Sequence, residues 1–448
     1  MFEFIAKLWQ RKLVKDAAAI YVGRGINLAV GLISTLIYGI IFLNQQIAVV
    51  SLFDMVVSLF VSFGFSWSAF GIIRFGKEEY EQARRISHTS SIRLSVILPI
   101  LIFATLLLFV FRKPLLSYIG TDDPKIFLFL ILNVLLLVLH EHLTNILTTA
   151  EKHVWNALFY LAQSVGKLAI LLTFYFGLFS VSAELYLKMN VLFLGALILL
   201  RSPSLEKRFL FPLTRVSKAE ILRFAKFVVP QIYGFTGLYL INWVDVYFIR
   251  KFCSMDDLGA YQFLYSIFLK FSSFAFLLNS LFFPKIVAWK NSNEVRFRQY
   301  LRQVPGSVLI ATLVLFGAFV AVYKPLFAVF FADKYAAAYS SFDILLWAIP
   351  FFFVTYLFVP VLNSYDRVGY IQVVNIASAL SNLAIDFLLV RKFGIIAAAF
   401  GTFVAYFVKF FFMMLAVNKM FSARYKWLTV ASISLTVFIA AYVLTNIL

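Results

Sequence analysis

Thirteen long apolar stretches dominate this sequence and restrict what the chain can fold into. A transmembrane helix needs about 20 predominantly apolar residues, and such stretches recur between charged or turn-rich breaks. We predict spans at 16–43, 46–73, 93–111, 125–149, 154–178, 182–200, 221–249, 257–284, 303–323, 340–363, 368–390, 394–418 and 427–447. Because 62% of the residues are hydrophobic and the mean hydropathy is +0.91, the solvent of this chain is a lipid bilayer.

Lysine and arginine are distributed unevenly between the two sides of these spans. With the N-terminus inside, the cytoplasmic segments carry 26 of the 40 basic residues, the external ends carry 9, and five lie within spans. This bias follows the positive-inside rule, so we predict a multi-pass protein with a cytoplasmic N-terminus. The same placement explains the net charge of +19 without any nucleic-acid partner.

The longest cytoplasmic connection follows the sixth span and divides the chain into two halves. We predict a six-helix lobe over residues 1–214, a second over 215–420, and an additional transmembrane helix over 421–448. An even number of spans per lobe makes the two lobes parallel repeats around a central cavity. The predicted fold is therefore an all-α polytopic membrane protein. Within the connection, Ser217 and Glu220 have the spacing of a capping box and predict an interfacial amphipathic helix.

Two segments are similar to bacterial polysaccharide flippases. In "LRFAKFVVPQIYGFTGLYLINWVDVYFIRKFCSMDDLGAYQFLYSI", the matching residues are a proline early in the seventh span, an aspartate near its outer end and a Gly-x-Tyr that opens the eighth. They are Pro230, Asp245, Gly259 and Tyr261.

The second segment is "NLAIDFLLVRKFGIIAAAFGTFVAYF", in the eleventh and twelfth spans. The residues that fit the family pattern are Asn382, Gly394, Ile395, Ala398, Thr402 and Tyr406. Two positions depart from it, because Asp386 stands where a second asparagine is usual and Ala397 replaces a glycine. A third and weaker match is "GFSWSAFGIIRF", which contains Gly64 and Arg74.

This resemblance is to the polysaccharide branch of the multidrug/oligosaccharidyl-lipid/polysaccharide exporter superfamily. It implies two six-helix lobes, alternating access, and a location in the bacterial cytoplasmic membrane. The implied substrate is an oligosaccharide linked to undecaprenyl pyrophosphate, and the implied partners are membrane lipids and other polysaccharide-assembly proteins. The implied role is O-antigen-type surface polysaccharide biosynthesis.

Charged residues inside the spans are the candidate functional residues, because each must face protein or water rather than lipid. The cations are Arg24, Lys167, Lys188, Lys270 and Lys409. A cavity that they line would bind a pyrophosphate through charge-assisted hydrogen bonds. Lys188 and Lys409 lie near enough to a membrane surface for snorkelling to be the alternative, and Arg24 has a structural ion pair or snorkelling as its alternative.

The acidic residues within spans offer sites for ion coupling. Asp54 and Glu141 are candidates for a cavity acid. Asp54 is also a candidate for coupling to H⁺ or Na⁺, or alternatively for pairing with a cavity lysine. Asp245 and Asp386 each precede an arginine by five residues, Arg250 and Arg391, which predicts structural ion pairs.

No metal site or other cofactor is predicted. The three residues of "HEH", His140 to His142, point in different directions on a helix and cannot converge on one ion. We predict instead that Glu141 and His142 form a polar patch with Lys152 and His153, facing the cytosol. The single cysteine, Cys253, leaves no partner for a disulfide.

The leading functional hypothesis is a lipid-linked oligosaccharide flippase, which is not an enzyme. One alternative is an ion-coupled drug or cation antiporter of the same superfamily, which a cationic cavity disfavours. The other is a membrane polysaccharide polymerase or ligase. Those enzymes generally carry a large external loop with basic residues, whereas the longest external connection here, about 324–340, is short.

Overall fold

The computed structural model describes the backbone of residues 12–201 and 206–421, and their side chains except those of 12–22, 24, 280 and 291. This part of the chain forms sixteen α-helices and two short 3-10 helices, Ser66–Ser68 and Ala336–Ala338, and contains no strand. The α-helices are α1 (Lys12–Ile41), α2 (Asn44–Gly64), α3 (Ala69–Ala83), α4 (Ser87–Val110), α5 (Arg112–Ile119), α6 (Pro124–Thr149), α7 (His153–Tyr175), α8 (Ala183–Arg201), α9 (Lys207–Leu210), α10 (Lys218–Val228), α11 (Gln231–Phe252), α12 (Met255–Ser292), α13 (Glu294–Phe331), α14 (Tyr339–Ser364), α15 (Val368–Phe393) and α16 (Ile395–Phe421).

The polytopic all-α fold predicted from hydropathy is confirmed. Among the described residues, eleven helical segments are long and apolar enough to cross a membrane, and Gly25–Ile41 adds a shorter apolar helix. These twelve overlap the first twelve predicted spans in order. The thirteenth, 427–447, lies outside the described part of the chain.

Polar and glycine residues at the ends of helices explain several helix boundaries. Asp123 caps α6 by accepting a 2.8 Å hydrogen bond from the backbone N–H of Lys125. Ser217 and Glu220 form the predicted capping box at the start of α10. Gly394 ends α15 with a φ of +58°, a backbone conformation that a residue without Cβ adopts readily. Such local signals stop one helix and start the next within a few residues.

The contacts divide the chain into two compact units. One unit contains the described residues up to Phe42 together with Val49–Thr236, and the other contains Leu43–Ala48 and the described residues from Gly237 onward. This division falls later in the chain than residue 214, because α10 packs on α3 and α4 of the first unit.

Each unit has its own set of packed helices. In the first unit, α1 packs on α7, and α6 packs on α3 and α8. In the second unit, α14 is the central helix and packs against α12, α13 and α16, while α15 packs on α16. The aspartates of the candidate site described next lie on α11 and α15 of the second unit.

Candidate functional site

Asp245 is buried in the second unit and accepts hydrogen bonds from three side chains. Its side chain is 1% exposed and lies on α11. The Tyr261 hydroxyl of α12 donates to Oδ2 at 2.6 Å, and the Thr402 hydroxyl of α16 donates to the same atom at 2.8 Å. The Asn382 amide of α15 donates to Oδ1 at 3.2 Å. Four helices therefore meet at one carboxyl group.

A second carboxyl group, that of Asp386, lies one helical turn beyond Asn382. Residues four apart share one face of a helix, and Asp386 is fully buried. Its two carboxyl oxygens have no hydrogen-bond partner among the described residues, and neither does Oδ1 of Asn382. Since a buried polar atom without a partner costs about 1–3 kcal/mol, three such oxygens in one place are candidate ligands for a bound ion or proton.

Gly401 on α16 allows these oxygens to come close together. A Cβ atom at this position would lie 2.4 Å from Oδ1 of Asn382 and 2.7 Å from Oδ1 of Asp386. The two oxygens are consequently no more than 5.1 Å apart, and no side chain other than hydrogen fits beside them. Gly401 therefore allows the backbone of α16 to contact the side chains of Asn382 and Asp386.

The chemistry of this cluster suits a small hard cation or a proton. All its candidate ligands are oxygens of carboxyl, amide and hydroxyl groups, which bind hard cations rather than soft metals. No basic side chain hydrogen-bonds or ion-pairs with either carboxyl group in the described part of the chain. Two buried carboxylates without a counter-charge are strongly unfavourable, so at least one must be protonated or must contact a cation.

The pairing of Asp245 with Arg250 and of Asp386 with Arg391, predicted from the five-residue spacing, is not formed. Asp245 accepts from Tyr261, Asn382 and Thr402 instead, and Asp386 has no partner among the described residues. A spacing of five places the arginine on a different face of the helix from the aspartate, and the two aspartates point into the unit.

Two other motif residues, Gly259 and Pro230, affect the backbone at separate places. A Cβ at Gly259 would lie 1.8 Å from the backbone oxygen of Asn44, so α12 approaches the first residues of α2 very closely. Pro230 lies in the short break between α10 and α11, and this break divides the predicted span 221–249 between these two helices.

In the first unit, Asp54 and Lys167 are the two predicted site residues that interact. Asp54 is on α2 and Lys167 on α7, both side chains are exposed, and Lys167 acts electrostatically on Asp54. Charged side chains that are exposed on membrane-crossing helices require water or an anionic or cationic ligand beside them.

Glu141 belongs to a buried polar network rather than to an open surface. The fully buried Arg93 of α4 donates to the Ser68 hydroxyl at 2.8 Å and lies 3.5 Å from Oε1 of Glu141. The Ser66 hydroxyl donates to Oε2 of Glu141 at 2.9 Å, and Arg93 is 3.1 Å from Nδ1 of His142. This network ties α4 and α6 to the 3-10 turn between α2 and α3.

The predicted cytosolic patch around "HEH" is therefore corrected. His142 is buried against Arg93, because the guanidinium needs polar partners inside the unit, and Lys152 pairs with Glu206 at 3.2 Å. His140 stacks on Phe159 at 5.4 Å between ring centroids. The three adjacent side chains thus face different neighbours, and the described residues contain no cluster of three or more His, Cys, Asp or Glu suited to a metal.

The remaining predicted cations have different environments. The Arg24 side chain lies outside the described residues, and Lys270 is half-buried on α12. Lys409 is only 4% exposed on α16, with its Nζ 5.7 Å from the centre of the Tyr356 ring. Lys188 donates to Oδ2 of Asp123 at 2.5 Å, so its charge already has a structural partner.

Comparisons with known proteins agree on the fold. A structure described as lipid II flippase MurJ in an inward closed conformation matches with a TM-score of 0.69 at 14% identity, over 95% of this chain and 97% of that one. A Vibrio cholerae MATE transporter, VcmN, matches with a TM-score of 0.59 at 14% identity over 92% and 97%. The MATE multidrug transporter DinF-BH matches at 0.60 and 14% identity over 90% and 94%.

These similarities show that the chain has the fold shared by MurJ and MATE transporters. No protein-family model matches the sequence, and no curated protein matches it significantly.

Proposed function

We propose that this protein flips an oligosaccharide linked to undecaprenyl pyrophosphate from the cytoplasmic to the outer leaflet of the bacterial cytoplasmic membrane. The repeat unit would supply surface polysaccharide of the O-antigen type. The fold likeness to a lipid II flippase over nearly the whole chain supports a carrier of a lipid-linked substrate. In this proposal the protein is a transporter and not an enzyme, and it works by alternating access.

The observation that carries the proposal is the buried ammonium group of Lys409. It lies over the Tyr356 ring and has no hydrogen bond or ion pair in the described part of the second unit. A buried ammonium group without a counter-charge is unfavourable unless it loses its proton or an anionic ligand neutralises it. The two phosphates of an undecaprenyl pyrophosphate headgroup supply that charge.

The proposed substrate contacts also include Arg24, Lys167 and Lys270. Together with Lys409 they place positive charge on membrane helices of both halves of the chain. Lys188 is left out of this set because Asp123 holds it, and Glu141 is left out because Arg93 and Ser66 hold it. We propose that the carboxyl group of Asp54 stabilises the positive charge of Lys167 through their electrostatic interaction.

We further propose that the cluster of Asp245, Asn382, Asp386 and Thr402 binds Na⁺ or H⁺ and couples its movement to transport. The support is the set of unpartnered oxygens on Asn382 and Asp386 beside Gly401. Neutralising one carboxylate removes the repulsion between two buried negative charges, so ion binding and the packing of α11, α15 and α16 are linked.

The test is deletion of the gene followed by analysis of the lipid carrier. Complete single repeat units should accumulate on the cytoplasmic leaflet, and the wild-type gene should restore their export. Lys409→Gln should fail to restore it, whereas Lys419→Gln, at an exposed position on the same helix, should succeed. Normal delivery of repeat units to the outer leaflet in the deletion strain would contradict the proposal.

A second candidate is an ion-coupled antiporter of cationic drugs, supported by the fold likeness to DinF-BH, whose structure is described as that of a MATE multidrug transporter. The buried Lys409 disfavours a cationic ligand by charge repulsion. Export of a cationic dye from cells that express this protein, with no effect on lipid-linked repeat units, would favour the antiporter instead.

A further inference from the structure

Helices α3 and α10 of the first unit enclose a groove of about 540 Å³ whose lining is cationic and apolar. Its principal lining residues are Arg74, Phe75, Leu222, Arg223, Lys226 and Phe227. No acidic residue is among the described residues that line it. The groove is referred to below as the α3–α10 groove.

Close packing of the two helices fixes the walls of this groove. Phe224 and Val228 of α10 are buried in a cluster with Trp67 and Ile92. A Cβ at Gly71 of α3 would lie 2.3 Å from the Phe224 ring, so only glycine permits this approach. The cations on the opposite face of α10 are therefore held at fixed positions relative to α3.

Aromatic rings orient the two arginines of the groove. The Arg74 guanidinium lies 4.4 Å from the centre of the Phe227 ring and 5.3 Å from that of Phe75. The Arg223 guanidinium lies 5.3 Å from the same Phe75 ring. Cation–π contacts hold a guanidinium by its face and leave its N–H groups at the edge. Those N–H groups match the oxygens of a phosphate.

The positive charge of the groove is not balanced within the described part of the protein. Glu78 is the one described acid that pairs with Arg74, at 4.0 Å, and both side chains are more than half exposed, so this pair contributes little. A separate cavity of about 330 Å³ also touches Phe75 and Arg223. Besides Arg85 and His88, its lining includes three acidic residues, Glu78, Glu79 and Glu220. Charge complementarity therefore directs an anion to the α3–α10 groove and away from its neighbour.

Exposed apolar side chains beside the groove indicate that the anion carries acyl chains. Leu222 is 53% exposed, and Phe70 and Ile73 of α3 are 46% and 39% exposed. An amphipathic helix with basic residues above an apolar face lies in the headgroup region of a membrane. A soluble phosphate would use the cations and would make no contact with these apolar side chains.

We propose that the α3–α10 groove binds the phosphate of an anionic phospholipid, with Arg74, Arg223 and Lys226 as its ligands. The site anchors α10 to the headgroup layer. This inference does not rest on the proposed flippase activity, because the groove lies within the first unit and uses none of the proposed substrate contacts.

Native mass spectrometry of the full chain in detergent, titrated with phosphatidylglycerol or phosphatidylcholine, tests the site. The variant Arg74→Gln/Arg223→Gln should bind phosphatidylglycerol about 30-fold more weakly, equivalent to about 2 kcal/mol. The matched control Arg215→Gln/Lys218→Gln removes the same charge from exposed positions of the same connection. It should bind phosphatidylglycerol like the wild type.

An equal loss of binding in both double variants, or no loss in either, would overturn the proposal. So would competition by glycerol phosphate as effective as that by the intact lipid, which would identify a site for soluble anions. In the wild type, higher ionic strength should weaken binding of phosphatidylglycerol but not of phosphatidylcholine, and binding of phosphatidylglycerol that is insensitive to salt would overturn the proposal even where the glutamine variant does not fold.

Discussion

The Tyr261 hydroxyl donates a 2.6 Å hydrogen bond to the carboxyl group of Asp245, and both side chains are fully or almost fully buried. The two residues lie on consecutive helices, α11 and α12, so this bond links those helices inside the second unit. It also holds the carboxyl group in the cluster that contains Asn382 and Asp386.

Removing this hydroxyl should destabilise the second unit. Tyr261→Phe should lower the free energy of unfolding by about 2 kcal/mol, since hydrogen bonds to charged groups contribute about 1.5–3 kcal/mol. The measurement is thermal unfolding of the purified protein in detergent. Tyr247→Phe, at an exposed tyrosine of α11, should leave the midpoint unchanged, and an equal shift in both variants would contradict a specific role for Tyr261.

Asp386 should make the stability of the protein depend on a cation. Sodium ions or protons that bind only the folded cluster stabilise it by mass action. The unfolding midpoint of the wild type should therefore rise with NaCl relative to KCl at equal ionic strength, or with acidification if the ligand is a proton. Asp386→Asn should abolish either response.

The control for that experiment is Asp366→Asn, at an exposed turn position of the same unit. It should keep the wild-type response. A response that survives in Asp386→Asn would place the ion elsewhere.

Gly401 should not tolerate even a methyl group. Gly401→Ala would place a Cβ within 2.7 Å of oxygens on Asn382 and Asp386, and overpacking of this kind costs about 1–3 kcal/mol. We expect a lower unfolding midpoint and a weaker cation response. Gly369→Ala, where nothing lies within 4 Å of the new atom, should be neutral or slightly stabilising; a neutral Gly401→Ala would contradict the packing described for α15 and α16.

The ion pair between Lys188 and Asp123 should stabilise the first unit in a pH-dependent way. The hydrogen bond from Lys188 and the backbone N–H of Lys125 lower the pKa of Asp123 below its usual 3.8. A lowered carboxyl pKa stabilises the folded state above the unfolded-state pKa, and this contribution is lost as the pH falls through the folded-state value.

Asp123→Asn should therefore be less stable than the wild type at neutral pH, by no more than about 1 kcal/mol because the pair is partly exposed. The difference should close as the pH falls below about 3.8. Thermal unfolding at several pH values measures it, with Asp122→Asn as the exposed neighbour that should match the wild type. A stability difference between Asp123→Asn and the wild type that grows as the pH falls would contradict this prediction.

Much of the fold is predictable because hydropathy and turn signals act locally. The apolar run over 340–363 predicts a span, and α14 occupies nearly the same residues. The Ser217–Glu220 spacing predicts a capping box that the structure contains. Hydropathy does not predict how α10 packs. The buried side chain of Phe224 packs this helix into the first unit.

The cluster of Asp245, Asn382, Asp386 and Thr402 is only partly predictable, because its members are distant in sequence. Asp245, Tyr261 and Asn382 are motif residues, but no spacing rule brings residues on α11, α12 and α15 together. Asp386 departs from the family pattern, and its five-residue spacing to Arg391 suggests an ion pair that is not formed. One sequence signal does point to part of the cluster: Asn382 and Asp386 lie four residues apart and therefore share one helix face.

The most direct test of the central claim is flipping in reconstituted vesicles. The protein is reconstituted with a fluorescent oligosaccharide on undecaprenyl pyrophosphate, and a membrane-impermeant quencher measures the fraction that reaches the opposite leaflet. We predict rapid loss of the protected fraction with wild-type protein, and none with Lys409→Gln or empty vesicles. Equal rates for wild type, Lys409→Gln and empty vesicles would contradict the proposed flippase.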